Sequence, residues 1–154
     1  MSMKIGRRGL LGLSLAAALA GVFVTPATAQ AQAGPVAAIA NALIQFETAT
    51  RWEAMAPTWR ARRDPWIAHV RAAATPAQLG ALALELETIM TWEAMYPRWR
   101  QERPGWVARA QATATPHDAA QLLLALEAAT TWTAMFENRW RAVRAGWIAN
   151  LSRF

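Results

Sequence analysis

An all-α fold of three tandem helical hairpins, each about forty residues long, is what this 154-residue sequence predicts. Three observations carry the prediction. Trp52, Trp59 and Trp66 recur as Trp92, Trp99 and Trp106, then as Trp132, Trp140 and Trp147, and these are all nine tryptophans. A fixed period of that length marks a helical repeat array. Each copy also pairs a helix-start signal with an Ala/Leu-rich run at helical spacing. Finally, cysteine is absent, so burial alone must hold the fold. Nine indoles, each burying ~150–250 Å², are a large apolar resource for that purpose.

Residues 1–29 read as a signal peptide. Lys4, Arg7 and Arg8 give a basic start, Gly9 to Val24 is apolar, and Ala27-Thr28-Ala29 supplies small residues at a cleavage site. Cuts after Ala31 or Ala33 fit as well. The apolar run falls short of the ~20 residues of a spanning helix. No permanent membrane span is therefore expected after cleavage, and a periplasmic or secreted location is. Arg7-Arg8-Gly9-Leu10-Leu11 also resembles a twin-arginine export signal, with Gly6 and Gly12 departing from its usual polar positions. The remaining residues 30–154 are expected to form one domain of three repeats, 35–74, 75–114 and 115–154.

Each repeat opens at a cap. Thr75-Pro76 and Thr115-Pro116 place a hydroxyl just before a proline at the first helical position, and Gly34-Pro35 is the degenerate first copy. The first helix of each pair should run on to Met55, Met95 and Met135. Pro57 and Pro97 then end it, and a second helix should carry Trp59 to about Ala73 and Trp99 to about Ala112. Asp64-Pro65 and Pro104-Gly105 predict a kink or short break inside that second helix. The third copy has Ala145-Gly146 there and one extra residue around Glu137–Arg139. Three hairpins give about six helices.

The repeated side chains divide into a structural set and a surface set. All nine tryptophans should line the seams between helices and repeats. Glu47, Glu87 and Glu127 recur five residues before the first tryptophan of each copy, as acceptors for an arginine or an indole N–H. Arg63, Arg103 and Arg144 follow a tryptophan by four residues, a spacing that lets guanidinium stack on indole. Arg60, Arg98, Arg100 and Arg141 are the candidate binding residues, suited to an acidic or aromatic ligand.

The run from Trp66 to Trp92 resembles the WSD motif of accessory subunits of imitation-switch chromatin remodellers. Gln78, Leu79, Leu86, Glu87, Ile89 and Trp92-Glu93 match it in spacing. Trp106, Leu122, Leu126, Glu127 and Trp132 repeat the match, with Asp118 in the glutamine's place. The resemblance implies a helical segment, which in that family contacts a remodelling motor and linker DNA. The zinc fingers and bromodomain of that architecture have no counterpart in this sequence, so the chromatin role does not carry over.

Composition narrows the function. The formal charge of +6 falls to +3 once the three cations of residues 1–29 are removed, too little to indicate a nucleic-acid partner. His69 and His117 sit at non-equivalent places, with no second histidine or cysteine nearby, so no metal pattern exists. Without cysteine there is no haem-attachment motif. No phosphate loop or nucleophile elbow occurs, and Ser152 is the only serine beyond the leader. Met55, Met95 and Met135 form a thioether set that could hold copper(I), though core filling accounts for them better. The expected function is non-enzymatic: an exported binding or scaffold protein of the cell envelope, needing no cofactor, whose partner is a protein, a peptide or an envelope polymer. The alternative is a carrier of a flat apolar ligand such as a tetrapyrrole, with His69, Met95 or His117 as axial ligand.

Overall fold

In the computed structural model, residues 34–50, 58–89, 97–130 and 137–154 are described. The expected signal segment lies outside them, as do Trp52, Trp92, Trp132, Met55, Met95 and Met135. Among the described residues six helices form, in three pairs: α1 (Pro35–Thr50) with α2 (Trp59–Ala72), α3 (Pro76–Ile89) with α4 (Pro97–Gln111), and α5 (Pro116–Thr130) with α6 (Glu137–Leu151). There is no strand among the described residues, and none of these helices is long and apolar enough to cross a membrane.

The starts of α3 and α5 are fixed by capping boxes. The Thr75 hydroxyl accepts from the Gln78 N–H at 3.3 Å, while Gln78 Oε1 accepts from the N–H groups of Ala74 and Thr75 at 2.7 and 3.1 Å. Thr115 and Asp118 do the same for α5. Both orphan ends are thereby satisfied. The pairing explains why Gln78 and Asp118 occupy equivalent positions. The hydrogen bonds from the hydroxyl and backbone N–H of Thr115 and from the Ala114 N–H hold the Asp118 carboxyl below its usual range.

Of the expected kink or short break at the internal prolines, the break does not occur. Both α2 and α4 are assigned as helix straight through Pro65 and Pro104. Each proline is exposed, and so are Ala61 and Arg100, whose carbonyls it leaves without an intrahelical partner. Water satisfies a carbonyl on that side at little cost. The extra residue of the third repeat is absorbed before Trp140, which keeps the position of Trp59 and Trp99 against its glutamate.

The three repeats close into a ring. The inner helices meet pairwise: α1 with α3, α3 with α5, and α5 with α1. Each outer helix bridges two of them: α2 lies on α1 and α3, α4 on α3 and α5, and α6 on α5 and α1. This is a pseudo-threefold bundle, with the outer helices antiparallel to the inner ones. The core is built from equivalent layers, among them Ile39, Leu79 and Ala119, then Leu43, Ala83 and Leu123, then Phe46, Leu86 and Leu126, all buried. The first two layers each set one alanine against two larger side chains, so three like helices interdigitate.

Candidate functional site

One polar cluster recurs in each hairpin. Glu47, on α1, is fully buried and accepts the Trp59 indole N–H at 2.9 Å. The Arg63 guanidinium grips the same carboxylate from Nε and Nη2 at 2.7 and 2.9 Å. Glu87 takes Trp99 at 2.8 Å and Arg103 at 2.8 and 3.0 Å. Glu127 takes Trp140 at 2.9 Å and Arg144 at 2.6 and 3.0 Å. A buried carboxylate is tolerated where paired and hydrogen-bonded, and each of these is. The spacing of four between tryptophan and arginine brings both side chains to one carboxylate on the facing helix. The Glu127 hydrogen bonds hold the Arg144 guanidinium above its ordinary pKa.

The second tryptophan of each outer helix does a different job. Trp66 donates to the Leu82 carbonyl at 3.1 Å, and Trp106 to the Leu122 carbonyl at 3.1 Å. Trp147 donates to the Ala42 carbonyl at 2.8 Å, joining the third repeat to the first. The two indoles of each outer helix pack together, with ring centroids 5.3 Å apart for Trp59–Trp66, 5.6 Å for Trp99–Trp106 and 5.3 Å for Trp140–Trp147. All six are buried, and every one of their N–H groups is used. A flat ligand seated among these indoles would have to displace one from its partner.

Charge is divided between the layers. Every arginine within the six helices belongs to an outer helix, while the inner helices carry carboxylates and no lysine or arginine. Arg60, Arg100 and Arg141 are equivalent positions, one residue after the buried tryptophan, and all three are exposed. Arg98 is exposed too and pairs with Glu102 at 2.6 Å, a contact between neighbouring turns of one helix. The outer face is therefore basic and arginine-rich.

The two histidines do not share a site. His69 borders a shallow groove between α2 and α3, with Gln78 and Leu82 on its far side. His117 borders the groove between α4 and α5, and its Nδ1 lies 3.2 Å from the main-chain oxygen of Phe154. Among the described residues no group of three or more His, Cys, Asp or Glu side chains could hold a metal ion.

A family model matches the chain over residues 36–90 and again over residues 78–135. Its description is "Domain of unknown function (DUF8799)", which names no activity. The overlapping matches are offset by about one repeat. No curated protein and no solved structure matches the chain.

Proposed function

From the premise that the chain belongs to the DUF8799 family, we propose that it is an exported, non-enzymatic binding protein of the cell envelope. Its contact surface is the basic outer face, and Arg60, Arg100 and Arg141 are its centre. The observation that supports this reading is the recurrence of an exposed arginine at one equivalent position of every outer helix. Arg63, Arg103 and Arg144 are consumed by buried glutamates. Their equally periodic neighbours Arg60, Arg100 and Arg141 stand exposed, one per outer helix. Guanidinium groups are suited to planar acidic partners, because a fork of N–H donors meets a carboxylate or phosphate at two points. The partner class is accordingly an acidic protein segment or an anionic envelope polymer.

The test is cosedimentation of the purified chain with cell envelopes from the source cells. Replacing Arg60, Arg100 and Arg141 together by glutamine should lower binding by an order of magnitude and make the remainder insensitive to salt. Circular dichroism should be unchanged. Equal sedimentation of the triple variant would overturn the assignment.

A further inference from the structure

The seams where an outer helix meets the next inner helix use equivalent positions, so their differences are informative. At the α2–α3 seam Arg62 reaches Glu85 at 2.7 Å, and Ile89 lies in the same row. At the α6–α1 seam, which closes the ring, the equivalent residues are Val143, Gln45 and Ala49. The ion pair is missing and the isoleucine is cut to a methyl group. A groove of about 360 Å³ lies there. Ile44, Ala49 and Val143 supply apolar wall, Asn41 and Gln45 a neutral polar edge, and Arg139 an exposed cation, at the position of Thr58, the residue before α2. No carboxylate of the described residues lines it.

We propose that this groove binds a small amphiphile with an acidic head, a medium-chain carboxylate being the simplest. Its volume falls at the lower end of the ~300–1,000 Å³ typical of small-molecule sites. The apolar wall accepts a short chain whose transfer from water is favourable by ~0.8 kcal/mol per buried methylene. Arg139 supplies the charge for the head, with paired N–H donors that suit a carboxylate. The neutral amides tolerate a tail passing beside them, where a glutamate such as Glu85 would repel the acid. The substitution pattern is specific to this seam: the position of Arg139, Val143 and Gln45 reads Thr58, Arg62 and Glu85 at one sister seam and Arg98, Glu102 and Ala125 at the other.

The test titrates the full chain with decanoate and, separately, with decanol, by calorimetry and by the methyl NMR signals of Ile44 and Val143. Decanoate should saturate and shift both methyls, and decanol should bind at least tenfold more weakly. Arg139→Gln should lose about tenfold in decanoate affinity and erase the preference over decanol. The paired change Gln45→Glu with Val143→Arg transplants the Arg62–Glu85 contact into the groove, and should abolish saturable binding while circular dichroism and melting temperature hold. The arm using Arg139→Gln keeps the test decisive should the transplant fail to fold. Equal affinity for decanol and decanoate, unchanged decanoate binding by either variant, or no saturation of the wild-type chain would each overturn the proposal.

Discussion

Glu87 is the residue on which the second hairpin turns. It is 1% exposed and accepts three hydrogen bonds from two side chains of the facing helix. Glu87→Ala removes the carboxylate that the Trp99 N–H and the half-buried Arg103 guanidinium share. Breaking a buried pair from one side costs ~3–5 kcal/mol, and the partial exposure of Arg103 puts this case near the lower end. Glu87→Gln keeps one acceptor oxygen for the indole but turns an amide N–H₂ toward the guanidinium, so it should fall between the two. Urea denaturation reads the order: wild type, then glutamine, then alanine. If alanine unfolds at the wild-type midpoint, the cluster contributes nothing to stability. Much of this cluster is legible in the sequence, because glutamate, tryptophan and arginine recur in register. Their convergence on one carboxylate is not, since spacing along one helix says which residues share a face and not what the facing helix offers.

Helix pairs differ in how closely they approach, and Gly80 shows where. It is buried on α3, and a Cβ built on it would meet the Ala110 carbonyl oxygen and lie 2.9 Å from Thr113. Ala40 and Ala120 occupy the equivalent places in α1 and α5, so α3 and α4 are the tighter hairpin at this point. Gly80→Ala gains ~1 kcal/mol in helix propensity but forces the end of α4 outward against its own packing, at ~1–3 kcal/mol. The net effect should be destabilisation, seen as a melting temperature lower by several degrees. Gly146→Ala is the counterpart: α6 has open space there, so the variant should gain ~0.5–1 kcal/mol. A higher melting temperature for Gly80→Ala would show that the close approach is not required. Element order and the caps are readable from Thr-Pro, Gln78 and Asp118. The unbroken course of α2 and α4 through their prolines is not, because it depends on which side of the helix faces water.

Closure of the ring is the property of the whole molecule that the repeat period leaves open. A forty-residue hairpin can stack into an extended solenoid or turn through a third of a circle, and the same tryptophans serve both. The turn is set by how closely the inner helices pack, through small residues such as Ala83 and Ala119, and by an acceptor that is a backbone carbonyl with no sequence signature. An extended solenoid tolerates loss of an end repeat, because each unit touches only its neighbours. Here each repeat touches both others, so the seam between α6 and α1 should behave like the seams bridged by chain. A circular permutant tests this directly. Phe154 and Gly34 correspond by position to Ala73 and Ala74, which are adjacent in the chain. Joining residue 154 to residue 34 through a short Gly/Ser linker, and opening the chain between Ala73 and Ala74, moves the break from one seam to its equivalent. The Gln78 cap on Ala74 and the Val70 carbonyl bond to Ala73 both survive the cut. Helicity, buried tryptophan emission and a single cooperative transition should all be retained, within ~1–2 kcal/mol of the parent, the change in loop closure being small. Emission shifted to that of indole in water, or two separate transitions, would show that the α6–α1 seam does not bear on folding as its sisters do.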